Sequence, residues 1–185
     1  MTKRFVLAIT GASGIIYAKR LFDYLCTRAE IHVVLSERGA ELLHLELGLK
    51  PAYFSRDNAQ VHKNSKINTS LASGSFRTDG MVIVPASMGT LGRIAAGVSS
   101  NLVERAADVT LKEKRKLIVV PRETPFSTIH LENLLRLDRA GALVMPASPG
   151  FYSHPESVDD LVDFMVARIL DHLDIEQDLF EPYKP

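Results

Sequence analysis

The chain has 185 residues, a length that suits one domain with a substantial core. Its 22 Lys and Arg residues balance its 22 Asp and Glu residues, so the net charge gives no general reason to expect nucleic acid or an anionic membrane as a partner. The single cysteine, Cys26, excludes an intrachain disulfide and fits a reducing cytosol. No apolar run reaches the roughly 20 residues of a membrane-spanning helix.

The first part of the chain predicts strands that alternate with helices. We expect strands at residues 4–9 and 31–36 and helices at residues 15–28 and 37–47. Cys26 lies at helical spacing in the first helix and is expected to be a packed, apolar thiol. Residues 49–73 are polar and have no strong period, so they are expected to form a surface excursion.

The second part of the chain repeats the alternation. Strands are predicted at residues 80–84, 116–120 and 142–145, and helices at residues 91–97, 101–114, 128–140 and 157–173. Ser157 is expected to cap the last helix, and Asp159 and Asp160 favour its positive end. Strands that alternate with helices imply a parallel sheet covered on both faces. We therefore predict a single-domain (residues 1–185), three-layer Rossmann- or flavodoxin-like α/β fold with an open parallel sheet.

The segments that follow the predicted strands share small and hydroxyl-bearing residues. Because ligands of open parallel sheets bind beyond the carboxyl ends of the strands, we expect these segments to converge on one edge. They are TGASG (10–14), Ser36, PASMGT (85–90), PRETPFS (121–127) and PASPGFY (146–152).

Two of these segments, TGASG and PASMGT, open helices and so suit a phosphorylated, planar ligand such as a nucleotide or flavin. TGASG is neither GxGxxG nor a P-loop, and a tight turn without a ligand explains it equally well.

Arg122 and Glu123 stand side by side at the end of a buried strand. Arg122 has the forked geometry that binds phosphate or carboxylate, and Glu123 is a candidate proton carrier. The alternative is a structural Arg–Glu pair at a strand end.

Other charged residues lie on predicted helices. Glu104, Asp108 and Lys112 follow one another at four-residue spacing and predict a solvated ladder of ion pairs; alternatively, Arg105 and Lys112 form a cationic face for an anionic ligand. Glu46 lies on the apolar side of its helix, where a carboxylate is costly unless it is paired or functional, or else at the boundary of that side. The six histidines have no metal-binding spacing, and we predict no metal. GxSxG is also absent, so an acyl-transfer site is not expected.

Four long motifs together resemble the UbiX family of flavin prenyltransferases. They are TGASG, PASMGTLGRIAAGVSSNLVERAADVTLKE, LIVVPRETPFSTIHLENLLRL and PASPGFYSHPESVDDLVDFMVARILD. The resemblance implies an enzyme that joins the dimethylallyl group of dimethylallyl monophosphate to N5 and C6 of reduced FMN, without a metal. The product would serve UbiD-type decarboxylases, for example in ubiquinone biosynthesis.

The resemblance also assigns roles to individual residues. It implies FMN contacts from Gly11, Ala12, Ser13, Ser36, Ser87, Met88, Gly89, Thr90 and Arg122, and a proton-transfer role for Glu123 with Ser13 and Glu46 in the same catalytic set. It implies that the substrate phosphate is bound by Lys112, Arg105, Tyr152 and Arg168. Tyr152 and Arg168 would reach the site from a neighbouring subunit of a dodecamer.

Three other functions share features with this one. The first is a flavin-dependent decarboxylase of cysteine-ended substrates, from which the implied prenyl-phosphate contacts at Lys112, Tyr152 and Arg168 distinguish this chain. The second is a non-catalytic carrier of FMN. The third is direct decarboxylation of aromatic acids without a partner enzyme.

Overall fold

One parallel sheet organises the structure, a computed structural model that describes residues 2–181. The residues it describes contain six strands in the order β3-β2-β1-β4-β5-β6, each paired in parallel with its neighbours. The strands are β1 (Arg4–Ile9), β2 (Glu30–Leu35), β3 (Ala59–Lys63), β4 (Gly80–Ala86), β5 (Lys116–Pro121) and β6 (Ala142–Val144). The predicted Rossmann-like fold is confirmed; residues 1 and 182–185 of the predicted domain lie outside the described part.

Six α-helices cover the two faces of the sheet and make the predicted three layers. One apolar cluster joins the sheet to α1, α2 and α6, and a second joins the opposite face to α3, α4 and α5. The helices are α1 (Ile15–Leu25), α2 (Glu37–Leu47), α3 (Met88–Ala95), α4 (Leu102–Lys112), α5 (Thr128–Arg139) and α6 (Val158–His172). None of the helices in residues 2–181 has the length and apolar character needed to cross a membrane.

The strand β3 corrects the prediction for residues 49–73. This segment contains β3 and two short 3-10 helices, Pro51–Phe54 and Ser70–Ala72. β3 is an edge strand whose neighbour within the sheet is β2, and of its residues only Ala59 is buried. Because an edge strand does not need a continuous apolar run, its sequence AQVHK carries little signal.

Side-chain caps set several helix boundaries. Ser157 accepts a hydrogen bond from the Asp160 amide at 3.2 Å, which confirms the predicted cap of α6. α3 begins earlier than predicted, because Ser87 accepts from the Thr90 amide and caps it. α1 ends earlier than predicted, at Leu25, and the Cys26 that follows is partly buried against the core.

The turns after β1 and β4 are joined directly. The fully buried Thr10 donates its hydroxyl proton to the carbonyl of Pro85 at 2.9 Å and accepts from the amide of Ser87 at 2.8 Å. Strand order reverses at this point, since β1 lies between β2 and β4. This is the switch point where open α/β sheets bind ligands.

Candidate functional site

A cavity of about 840 Å³ opens at the switch point. Five of the residues expected to contact flavin line it together: Gly11, Ser36, Ser87, Gly89 and Thr90. Its volume lies in the range of about 300–1,000 Å³ that small-molecule sites occupy. Its remaining wall comes from the end of β2, the start of α2, the end of β3, the segments before α4, Pro51 and Arg93 of α3.

Close packing around Gly11 shapes the cavity floor. A Cβ atom at Gly11 would lie 2.6 Å from the Cβ of Arg38, and one at Gly39 would lie 2.4 Å from the carbonyl oxygen of Ile9. α2 therefore approaches the end of β1 at a distance that only glycine allows. This approach brings Ser36, which caps α2, beside the first turn.

The first turn presents two of its predicted ligand residues, Gly11 and Ser13, to solvent. Ala12 is buried and Ser13 is exposed, while Met88, on the neighbouring turn, is buried. Gly14 has φ of 108°, a left-handed conformation that favours glycine.

Glu46 caps the helix that follows this turn. Its carboxylate accepts from the amides of Gly14 at 3.1 Å and Ile15 at 2.9 Å, so the residue that was costly on an apolar helix face is paired across the fold. A carboxylate at a helix N-terminus is stabilised by the helix dipole. The Glu46 carboxylate thus binds amides that were expected to be available for a phosphate, and the start of α1 already has an anionic partner.

Arg122 and Glu123 bond to other groups and not to each other. Arg122 donates from Nε to the carbonyl of Ser13 at 3.1 Å, which joins the end of β5 to the first turn. The Glu123 carboxylate accepts from the amide of Thr124 at 3.0 Å and is exposed. The alternative prediction of a structural Arg122–Glu123 pair is therefore wrong. The Glu123 carboxylate is open to solvent at the sheet edge.

The residues expected to bind the substrate phosphate lie away from this cavity. Lys112 is eleven residues along α4 from Asn101, a cavity residue, or about 16 Å along the helix axis. Arg168 is about 15 Å along α6 from its first residue, Val158, and its guanidinium pairs with Asp171 at 3.0 Å. Because a helix that follows a strand of a parallel sheet runs back toward the amino ends of the strands, both cations lie away from the strand ends that form the site, and neither lines the cavity of its own chain.

Arg105 and Tyr152 also contact other groups. Arg105 pairs with Asp108 at 2.7 Å and donates to the carbonyl of Ala72. The ring of Tyr152 packs edge-on against Phe164 and is 53% exposed. The structure thus brings five of the nine predicted flavin residues together in one cavity, and none of the predicted phosphate residues lines it.

Glu104 contradicts the predicted solvated ladder. Its side chain has 0% exposure and pairs with Arg93 at 2.5 Å, and its second oxygen accepts from the amide and hydroxyl of Ser100. Burial raises the pKa of Glu104, but the hydrogen bonds from Arg93 and Ser100 outweigh it and leave that pKa lowered. The prediction of a solvated ladder was wrong because helical spacing does not show which face of α4 packs against α3.

Several cavity residues were not predicted as part of a site. Three cationic residues, Arg38, Lys63 and Arg93, line it, together with His62, Asn64, Ser65, Ser100 and Asn101. Lys63 and His62 were missed with β3. Arg93 carried no recognisable signal beyond its place one turn after the PASMGT segment.

His62 connects the cavity to a buried histidine. Its Nε2 lies 2.9 Å from Nδ1 of His32, whose Nε2 lies 2.9 Å from a Glu30 oxygen. Burial lowers the pKa of His32, with the Glu30 contact opposing, and burial with the nearby His32 lowers the pKa of His62.

The His32–His62 pair predicts a loss of stability in mild acid. Above the pKa of about 6.5 that a histidine has in the unfolded chain, both histidines are neutral in the folded and in the unfolded protein. Below that pH the histidines of the unfolded chain bind protons, whereas those of the folded chain, whose pKa is lowered, do not. The free energy of unfolding therefore falls as the pH drops toward the lowered pKa of the folded state. We expect the midpoint of thermal unfolding to fall less between pH 7 and pH 5 in His62→Gln than in the unmodified protein. The exposed His154→Asn is the control, and a decline equal in both variants would contradict the assignment.

The cavity fits flavin mononucleotide in chemistry as well as size. Hydroxyl and amide side chains can bond a polar ring and ribityl chain, and the cations can bind a phosphate. In the described part of the chain no group of three or more His, Cys, Asp or Glu residues could hold a metal ion.

A Rossmann-like sheet with this cavity at its switch point defines a nucleotide-binding α/β protein. The model of the Flavoprotein family matches residues 1–170. Flavin prenyltransferase UbiX of Methanocaldococcus jannaschii is 45% identical over 96% of this chain and 97% of its own length. Flavin prenyltransferase LpdB of Lactiplantibacillus plantarum is 48% identical over 95% of both chains.

Comparison with solved structures finds the same family. AnUbiX (PadA1) in complex with FMN and dimethylallyl pyrophosphate is 40% identical, with a TM-score of 0.95 over 100% of this chain and 99% of that one. A dodecameric FMN-dependent UbiX-like decarboxylase of Escherichia coli O157:H7 is 41% identical, with a TM-score of 0.94 over 98% of this chain and 100% of that one. The chain therefore belongs to the Flavoprotein family and, within it, to the UbiX flavin prenyltransferases, as its motifs predicted.

Proposed function

We propose that the protein is a flavin prenyltransferase that joins the dimethylallyl group of dimethylallyl monophosphate to N5 and C6 of reduced FMN. The observation that carries the proposal is the full-length similarity to AnUbiX, a structure with FMN and dimethylallyl pyrophosphate. The prenylated FMN would then pass to a UbiD-type decarboxylase. We place the enzyme in the cytoplasm, where a lone thiol such as Cys26 stays reduced.

Five of the residues expected to bind flavin line one cavity. Gly11, Ser36, Ser87, Gly89 and Thr90 line the cavity, and we propose that they bind FMN with Ala12, Ser13, Met88 and Arg122. Arg122 supports this role because its bond to the Ser13 carbonyl holds the end of β5 beside the first turn. The flavin ring would lie over this junction.

Reduced FMN supplies the nucleophilic N5 and C6 atoms. N5 would lose its proton when it displaces the allylic phosphate. Ring closure at C6 would then need one proton added to the alkene of the attached group, which makes its substituted carbon electrophilic, and one proton removed from C6. Glu123 is suited to donate the first of these protons and to accept the second, because its carboxylate is exposed at the strand end. The released phosphate is the alternative acceptor. Glu46 holds the first turn through the amides of Gly14 and Ile15, and in this proposal it would thereby position Ser13 for the reaction.

Loss of the allylic phosphate places negative charge on its oxygens. Fixed cations stabilise that charge in the transition state, and we propose Lys112, Arg105 and Arg168, with the hydroxyl of Tyr152, in this role without a metal. Because Lys112 and Arg168 lie far from the cavity of their own chain, they would act on the site of a neighbouring copy. This supports a homo-oligomer, in keeping with the dodecameric relative.

An interface between copies also excludes water. Water would trap the allyl group as an alcohol before it reached the flavin. Exposed aromatic and aliphatic side chains on α5 and after β6, including Ile129, Leu131 and Phe151, are suited to be covered in such an assembly.

Mass spectrometry of the flavin tests the proposal. After anaerobic incubation with reduced FMN and dimethylallyl monophosphate, we expect the flavin to gain one C5H8 unit. Bound flavin without a mass change would indicate a carrier. Release of carbon dioxide from a cysteine-ended substrate, or from an aromatic acid without a partner enzyme, would indicate one of the two decarboxylases.

A further inference from the structure

The buried ion pair of Arg93 and Glu104 joins α3 to α4 at the cavity wall. Glu104 is fully buried, whereas the Arg93 side chain is 48% exposed and lines the cavity. A buried carboxylate is tolerated when its oxygens are paired and hydrogen-bonded. Arg93 and Ser100 satisfy both oxygens of Glu104, so the carboxylate is a fixed anchor for the guanidinium.

The contacts of Arg93 leave part of its guanidinium available. Nε donates to Glu104 at 2.5 Å, and Nη2 donates to the hydroxyl of Thr90 at 3.4 Å. A guanidinium has five N–H donors, so three remain. Nη1 lies over the first turn of α3, 3.6 Å from the position of a Cβ at Gly89. The absence of a side chain at Gly89 gives this nitrogen open access to the turn.

The other cations of the cavity are held less firmly. Arg38 pairs with Glu41 at the surface, and its side chain is 80% exposed. Lys63 is exposed at the end of the edge strand β3. An oriented guanidinium loses less freedom on binding an anion than a mobile cation does. Arg93 is therefore the best organised cation for an anion at the start of α3.

The position of this cation separates two ends of the site. Three cations, Arg93, Arg38 and Lys63, and one carboxylate, Glu37, line the cavity beside β2, β3 and α3, so its charged groups are mainly positive. Ser13, Arg122 and Glu123 lie instead at the ends of β1 and β5. A phosphate monoester belongs at the cationic end, and a ring that exchanges a proton with Glu123 belongs at the other. The phosphate at the cationic end is then that of the flavin and not that of the allyl donor.

We propose that Arg93, positioned by Glu104 and Thr90, binds the ribityl phosphate of FMN and gives the site its preference for FMN over riboflavin. The inference rests on the proposed function for the identity of the ligand. It adds a phosphate-binding residue, Arg93, and a positioning residue, Glu104, to the predicted flavin contacts.

Titration of flavin-free protein with FMN and with riboflavin tests the proposal. Riboflavin lacks the phosphate, so the ratio of the two dissociation constants isolates the phosphate contact. In Arg93→Met we expect FMN to bind roughly 10- to 100-fold more weakly, as for loss of a hydrogen bond to a charged group, and riboflavin to bind as before. Arg93→Lys should retain part of the preference, and Glu104→Gln should weaken it less than Arg93→Met.

Controls separate this result from misfolding. Arg93→Met leaves a buried carboxylate without its partner, so the double variant Arg93→Met/Glu104→Gln, which removes that charge, should show the same loss of preference. Arg28→Met removes the same charge from the turn after α1, where Arg28 contacts Tyr24, and should leave the ratio unchanged. If folded Arg93→Met has an unchanged ratio of the FMN and riboflavin dissociation constants, the proposal is overturned. The Arg93–Glu104 pair would then serve only as a structural link between α3 and α4.

The KM for dimethylallyl monophosphate identifies which phosphate is bound. At saturating FMN it should be unchanged in Arg93→Met; a raised KM with unchanged FMN affinity would assign Arg93 to the allyl phosphate and overturn the inference. The binding ratio needs no turnover. Failure to form prenylated flavin would therefore refute the proposed function without altering the outcome for Arg93.

Discussion

Glu123→Gln is expected to keep FMN binding and to reduce formation of prenylated FMN by roughly 100-fold or more, the usual contribution of a general acid or base. The amide matches the carboxylate in shape but cannot accept the proton. Glu123 is exposed and bonds to the amide of Thr124, so the substitution should leave the fold intact. Flavin titration and the rate of the C5H8 mass gain measure the two effects separately.

Glu132→Gln is the matched control for this variant. Glu132 is an exposed carboxylate on α5, and its substitution changes the net charge by the same amount. It should turn over normally. Normal turnover by Glu123→Gln itself would remove Glu123 from the mechanism and leave the released phosphate as the proton acceptor.

Arg168→Ala is expected to raise the KM for dimethylallyl monophosphate by roughly tenfold or more, since a charge-assisted contact to phosphate is lost. FMN affinity should not change, because Arg168 lies far along α6 from its own cavity. Steady-state kinetics with varied allyl phosphate measure the effect. An unchanged KM would contradict the assignment of Arg168 to the phosphate.

Mixed oligomers test whether Arg168 acts on a neighbouring copy. If subunits of Arg168→Ala and Glu123→Gln are dissociated and reassembled together, some sites combine an intact Glu123 with an intact Arg168 from different chains. At allyl phosphate concentrations far below the raised KM of Arg168→Ala, such mixtures should be more active than either variant alone. A mixture of Glu123→Gln with the double variant Glu123→Gln/Arg168→Ala contains no intact Glu123 and should stay inactive. Lack of recovery after demonstrated mixing would place Arg168 in the site of its own chain.

The turns of the sheet could be predicted because their signals are local. A short apolar run followed by small, hydroxyl-bearing residues marks the end of a buried strand, and parallel strands end at one edge. Gly11, Ser36, Ser87 and Thr90 were expected together for this reason, and they line one cavity. β3 was missed because an edge strand needs few apolar residues and so lacks that local signal.

The partners of the buried charges could not be predicted. Glu46 bonds to amides 31 and 32 residues earlier in the chain, and Glu104 pairs with Arg93 on a different helix. Helical spacing showed that Glu46 was unusual, but it also grouped Glu104 with Asp108 and Lys112 in a solvated ladder. Which groups meet depends on how α2 and α4 pack, and no local pattern encodes that.

The sequence by itself determined the α/β alternation, the parallel sheet and the residues of the flavin turns, because strand and helix periods and glycine-rich turns act over a few neighbouring residues. Only the tertiary structure decided that Glu46 occupies the start of α1, that Arg93 is fixed at the cavity by a buried carboxylate, and that Lys112 and Arg168 lie beyond reach of their own cavity. Those facts depend on the distances between elements that are remote in sequence. Such distances are set by the order of the strands and the packing of helices on the sheet.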